Sequence, residues 1–282
     1  MKALYYVRRV FQISPSYTLG RFYLVRSLYS LWMRLRDRLR GRRLPPLDGL
    51  PPSGMIRTAP RSAVAELRQT ALSQCITLPA PLAEEIREFA RRDECSVDGV
   101  KYRFRYADVK NGKLPDDTFV ALAHCQNPTA CPAVCQVRDD PVLRAIVANF
   151  LGYVPQSPDV RLYWSFVGEA ADDDRRRMYQ TIDFHYDVHD YNFCYVHIYL
   201  TDTDVKSGAH VMVLGSHKSK PVRWLIGSAR RTDEAVENHY GREKIVCLEG
   251  AAGTGFIEDT ACFHKALAPV SRERLLLQIR FH

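Results

Sequence analysis

Along residues 19–40, Leu24, Leu28, Leu31 or Trp32, Leu35 and Leu39 recur at three- and four-residue steps while arginines fill the other side, which predicts one amphipathic helix. The run from Leu44 to Gly54 is too dense in proline and glycine for helix or paired strand, and reads as a linker. Helical patterns return at 62–74, 81–92 and 140–151. The last opens on Asp140-Pro141, an N-cap followed by a residue that needs no amide partner, and closes on Gly152. From about 160 onward the pattern changes to short β-branched and aromatic runs at 160–167, 178–185, 193–200, 209–214, 244–248, 254–258 and 274–281, separated by turn residues. Helices first and strands afterwards predict a mainly β body, an antiparallel barrel or sandwich braced by helices, in place of alternating βαβ units.

Composition fits one folded unit behind an extension. The 282 residues are 46% hydrophobic with 15 Tyr, 12 Phe and 3 Trp, far from the aromatic-poor composition of disordered chains. We therefore expect a basic amphipathic extension over 1–43, a linker over 44–54 and a catalytic domain over 55–282. Charge divides along the same line. Residues 1–43 carry eleven Lys/Arg against the single acid Asp37, a net +10, so the remainder of a chain of net +8 stands at −2. A slightly negative body argues against a nucleic-acid-binding core, whose basic face would normally lie on the folded domain.

The extension has two readings: a helix lying in the headgroup region of an anionic membrane, or a helix packed on the body with a solvated basic face. Arg21, Arg26 and Arg34 interrupt any apolar run of the ~20 residues a span requires. Eight cysteines are too sparse for a disulfide framework and no signal peptide is evident, so a cytoplasmic location is expected, at the inner membrane face if the extension binds lipid. Cys125, Cys131 and Cys135 fit none of the common zinc-knuckle spacings, which leaves them as buried or loop thiols.

Chemistry concentrates downstream. In Thr181-Ile-Asp-Phe-His-Tyr-Asp187, His185 and Asp187 stand two apart at a strand end, so their side chains leave one face and can share a metal. Ferrous iron used for oxygen chemistry takes two neutral imidazoles and one carboxylate on one face, with the opposite positions open. An H-x-D pair alone is common by chance, and its context supplies the specificity: Ser207-Gly-Ala-His-Val-Met-Val-Leu-Gly-Ser-His217, then Gly253-Thr-Gly-Phe-Ile-Glu-Asp-Thr-Ala-Cys-Phe-His264, then Arg274 opening the last apolar run.

These four features, in this order, resemble the phytanoyl-CoA dioxygenase family of Fe(II)/2-oxoglutarate oxygenases across about residues 155–281. The resemblance implies a double-stranded β-helix (jelly-roll, cupin-like) barrel. It also implies that His185, Asp187 and His264 hold iron, that Arg274 takes the distal carboxylate of 2-oxoglutarate, and that O2 completes the reaction. A fork of parallel, charge-assisted bonds suits arginine to that carboxylate. Tyr195 on the next strand is a second candidate co-substrate contact. Phe184 stands where the family often has Trp, Leu214 where it has Pro, and Asp183 where some members have Gln. His189 is a rival ligand four residues past His185, His217 belongs to the Gly-Ser-His turn, and His124, His197, His210 and His239 read as core or surface residues.

The activity so implied is hydroxylation of a C–H bond of a small molecule, lipid or lipid-linked glycan, with release of succinate and CO2. Asp187 argues against halogenation, which needs the carboxylate position vacant for chloride. Two rivals are a non-catalytic metal- or ligand-binding module on the same fold, and an isomerase or hydrolase using another divalent metal. The insert from Lys218 to Arg242 is long for a barrel turn. It reads either as a substrate lid with six basic residues or as a solvated helix whose charge Asp233, Glu234 and Glu237 offset.

Overall fold

The computed structural model describes residues 15–97, 100–156, 158–168, 172–177 and 181–282. Its strands are β1 (Leu72–Thr77), β2 (Cys95–Ser96), β3 (Leu122–Cys125), β4 (Asp159–Ser165), β5 (Cys194–Tyr199), β6 (His210–Val213), β7 (Ile245–Leu248), β8 (Thr254–Glu258), β9 (His264–Ala266) and β10 (Arg274–Phe281). They form a seven-stranded sheet in the order β1-β8-β5-β10-β4-β3-β2 and a three-stranded sheet in the order β7-β6-β9, with every pair antiparallel. The fold is a jelly roll of two separate sheets, and no ladder among the described residues closes them into one barrel.

Strand parity decides what faces the site. On β10, Leu275, Leu277, Ile279 and Phe281 join Leu162, Val196, Ile198 and Ile257 in the main core, packed beneath helices Pro60–Thr70, Ala80–Arg92, Pro132–Arg138 and Pro141–Leu151. The alternate residues Arg274, Leu276, Gln278 and Arg280 face a cavity instead. Both strands are covered on both faces: β5 is buried at every position, and on β10 the polar residues fall only on the cavity side.

The element boundaries follow local chemistry. The Asp140 carboxylate accepts from Leu143 N at 2.8 Å, Pro141 takes the first helical position, and Gly152 ends the helix at φ +84°, a left-handed conformation that glycine adopts without strain. The helix expected over 62–74 stops at Thr70; Ala71 turns left-handed at φ +70° and Leu72 opens β1, whose pairing with β8 overrides the continuing apolar period. Of the run expected as a strand over 178–185, residues 178–180 lie outside the described residues, and Phe184 and His185 make single bridges to Arg231 and His264.

The amphipathic helix spans Tyr23–Leu39 and docks on the body, by the side opposite its leucines. Arg26, Met33 and Asp37 are buried. Arg26 Nη2 meets Asp259 Oδ1 at 2.8 Å and donates to Asn192 Oδ1 at 2.7 Å, while Asp37 Oδ2 accepts from Val154 N at 3.2 Å. Leu24, Leu28, Leu31, Trp32, Leu35 and Leu39 remain 49–90% exposed. Lys2, Arg8 and Arg9 of the expected basic extension lie outside the described residues. Among those described, no helix is long and apolar enough to cross a membrane.

Candidate metal centre

His185 and His264 come from segments far apart in sequence that are stitched together by two backbone bonds, His185 N to His264 O at 2.9 Å and His264 N to His185 O at 2.7 Å. Asp187 is set beside them by its own amide, which donates to Thr260 O at 2.8 Å. Each imidazole turns its Nδ1 to a carbonyl two residues back, His185 to Asp183 O and His264 to Cys262 O, both at 3.0 Å. That bond fixes the tautomer and leaves Nε2 as the free lone pair. Both Nε2 atoms then lie 3.8 Å from the Asp187 carboxylate, one on each oxygen.

The three donor atoms lie within 4.8 Å of one another, and no other His/Cys/Asp/Glu group among the described residues meets this test. One ion with bonds of about 2.1 Å could draw all three into its shell with small side-chain shifts. Electrostatics agree. Burial and the neighbouring His185 push His264 down to about 4, so its imidazole is neutral and able to ligate at neutral pH. Burial works to raise the Asp187 carboxyl, but His264, His185 and Arg280 outweigh it and hold it below the usual range. Two imidazole nitrogens and one carboxylate oxygen on one face, with a cavity opposite, make a facial triad suited to ferrous iron.

The Gly-Ser-His turn supports the triad from behind. Gly215 takes φ +74°, and Ser216 Oγ accepts from Phe263 N at 2.8 Å while donating to Val213 O at 2.9 Å, which fixes the segment just before His264. His217 lies against Cys262, with its Nδ1 3.6 Å from the sulfur.

A cavity of about 340 Å³ opens on the triad, and Arg274 lines it. This arginine is 3% exposed; it donates through Nη1 to Gly208 O and through Nη2 to Ser165 Oγ at 3.2 Å, and its Nε is buried without a partner. A buried guanidinium with an unmet donor fits a carboxylate that the protein itself does not supply.

Tyr195 is buried and is not among the residues lining the cavity; its hydroxyl lies 3.0 Å from His189 Nδ1 and its ring lies beneath Arg280. His189 faces Tyr195 and His282 and stands outside the triad. Asp183 is occupied by Arg176, at 2.8 and 2.9 Å.

His124, His197 and His210, read above as core or surface residues, all line the cavity, as do Arg161, Gln278 and Arg280. Behind them Glu258 is fully buried, with its Oε2 2.7 Å from His210 Nε2, and burial drives its carboxyl up to about 8. Polar residues at alternate positions of an otherwise Leu/Ile strand, Arg274, Gln278 and Arg280, were the available sequence signal for this wall. The Lys218–Arg242 insert contributes nothing to the cavity. Trp224 and Val236 pack with Phe184, Tyr186 and Phe263, and two of its acids form ion pairs, Asp233 with Lys265 and Glu237 with Arg242.

The model of the phytanoyl-CoA dioxygenase (PhyH) family matches residues 83–274. Among solved structures, EvdO2 from Micromonospora carbonacea var. aurantiaca superposes with a TM-score of 0.52 at 14% identity, covering 81% of this chain and 93% of that one. Its complex with 2-oxoglutarate gives 0.51 at 15% identity, covering 80% and 91%. HygX from Streptomyces hygroscopicus, with nickel, 2-oxoglutarate and hygromycin B bound, gives 0.48 at 15% identity over 78% and 86%. At these identities the two EvdO2 superpositions speak for the fold alone. No curated protein sequence matches the chain.

Proposed function

Because the chain belongs to the phytanoyl-CoA dioxygenase family of non-haem Fe(II)/2-oxoglutarate-dependent oxygenases, we propose that His185, Asp187 and His264 hold its iron and that Arg274 receives the distal carboxylate of 2-oxoglutarate. The observation that carries this reading is the pair of Nε2 atoms converging on one carboxylate beside a cavity that contains a buried, under-bonded arginine. Iron, 2-oxoglutarate and O2 supply the oxidation: the keto acid loses CO2 to become succinate and takes up one oxygen atom, while the other enters a substrate C–H bond. The protein's share is to keep His264 neutral and both imidazoles oriented, to seat the diacid and to wall off water.

The organisation proposed with it is a basic helical extension over 1–43, a linker over 44–54 and the oxygenase domain over 55–282. The substrate is a small molecule, and we place it among lipids or lipid-linked glycans. The exposed leucines of the Tyr23–Leu39 helix, flanked by Arg34 and Arg38, support recruitment of the enzyme to the cytoplasmic face of an anionic membrane. Tyr195 enters this reading as support for Arg280, not as a direct co-substrate contact.

Anaerobic addition of Fe(II) and 2-oxoglutarate tests the site, since an intact chelate gives a weak visible charge-transfer band. We expect the band in the wild type, its absence in Asp187→Ala and His264→Ala, and a 10- to 100-fold higher 2-oxoglutarate requirement in Arg274→Ala, the loss of about 1.5–3 kcal/mol of charged hydrogen bonding. A normal band in His264→Ala would overturn the ligand assignment. A band with no succinate formed in air, against any lipid or glycan fraction, would indicate a binding module.

A further inference from the structure

The cavity wall carries more positive charge than iron and co-substrate require. Its lining includes three guanidinium groups, Arg161, Arg274 and Arg280, and one carboxylate, Asp187. With ferrous iron, the 2-oxoglutarate dianion, Asp187 and Arg274 in place, these charges sum to zero, and the other two arginines are left over. Arg161 is partly offset by Asp159, whose Oδ2 lies 3.1 Å from its Nε. Arg280 has no carboxylate partner among the described residues. Its Nε donates to the neutral Gln278 Oε1 at 2.5 Å, and its guanidinium lies 4.9 Å above the Tyr195 ring.

Strand register places this surplus away from the co-substrate end. On β10, Arg274 pairs with Ser165, Gln278 with Arg161 and His197, and Arg280 with Asp159 and Tyr195. Arg280 lies six positions past Arg274, roughly 20 Å along the strand. A diacid anchored at Arg274 with its keto-acid end at the triad therefore leaves Arg280 facing the remaining space, where the molecule to be oxidised must enter. Held by Gln278 and by the Tyr195 face, its fork is oriented in advance.

We propose that Arg280, assisted by Arg161, is a substrate-binding residue that docks an oxyanion, a phosphate or a carboxylate, on the molecule this enzyme oxidises. This rests on the iron and 2-oxoglutarate reading of the same cavity, and it adds the chemical class of the substrate. It also moves the anion contact away from the basic Lys218–Arg242 insert, which packs elsewhere.

The test uses the full chain and two separate readouts. Methyl phosphate binding is followed by 31P line broadening on the metal-free protein at low ionic strength, with and without 2-oxoglutarate, and acetate is added as a competitor. The charge-transfer band of the iron-loaded protein reports the co-substrate site independently. We expect saturable methyl phosphate binding to the wild type, weakened at least ten-fold by Arg280→Ala, several-fold by Arg161→Ala and less by Arg280→Lys, with the 2-oxoglutarate requirement of the band unchanged in all three. Displacement by acetate at similar concentration assigns the subsite to carboxylates, and failure to displace assigns it to phosphates. Absence of saturable binding of both anions, equal binding in Arg280→Ala, or an Arg280→Ala defect in 2-oxoglutarate binding would overturn the proposal. Loss of the band with methyl phosphate binding intact would instead defeat the iron reading and leave the anion site standing.

Discussion

A carboxyl group with no access to water titrates according to its neighbours. Glu258 has 0% side-chain exposure, stands 2.7 Å from His210 and 3.8 Å from His264, and is pushed up to about 8 by burial first and then by Asp187 and Asp259. In the metal-free protein it is thus protonated at neutral pH, when the unfolded chain has already released that proton at about 4.5. Between these values the native state binds the extra proton, so this residue's contribution to stability is full below about 4.5 and is lost as pH rises through 8. Glu258→Gln copies the protonated form. It should match the wild type near pH 5 and exceed it by roughly 2–4 kcal/mol at pH 9, read from urea unfolding of the metal-free proteins. A constant difference across that range would show that Glu258 is ionised in the native state. The same low polarity keeps His264 neutral, so the burial that raises an acid also keeps a ligand available.

At the scale of elements, the Tyr23–Leu39 helix depends on one buried ion pair. Arg26 and Asp259 are each about 4% exposed or less, and Asp259 Oδ1 also accepts from Ala261 N at 3.0 Å, one residue from the Thr260 carbonyl that holds Asp187. Removing only the arginine leaves a buried carboxylate uncompensated, at a cost of about 3–5 kcal/mol. Arg26→Met should therefore lower the urea midpoint strongly, and adding Asp259→Asn should recover most of the loss, because the amide carbonyl still accepts from Ala261. If the single variant unfolds like the wild type, the pair is not what holds the helix down. Sequence periodicity found this helix and its leucine stripe, yet the inward side could not be read from it: a leucine stripe ordinarily packs inward, and the partner that reverses the choice lies 233 residues away.

For the whole molecule, the reversal leaves an apolar stripe in water, edged by Arg34 and Arg38, within a segment 1–43 whose net +10 exceeds the +8 of the whole chain. Under the recruitment proposed above, anionic phospholipid would satisfy both, by burying the leucines and attracting the arginines, worth about 1 kcal/mol each near a charged surface. The protein should sediment with phosphatidylserine vesicles at low salt and less with phosphatidylcholine alone. Replacing the exposed Leu24, Leu28, Leu31 and Leu35 by serine should return it to the supernatant without altering its unfolding midpoint. Equal recovery of both forms in the supernatant would remove the membrane from this account. By itself the sequence determined the features that depend on local spacing: the long helices, most strands, the charge imbalance and the ordered motif naming His185, Asp187, His264 and Arg274. Tertiary structure decided what depends on contacts between distant segments. These are the short strands β1, β2, β3 and β9, the cavity-lining histidines His124, His197 and His210, and the placing of Arg161 and Arg280 in the same cavity wall as Arg274. Strand pairing and burial free energies act between residues that no local window holds together.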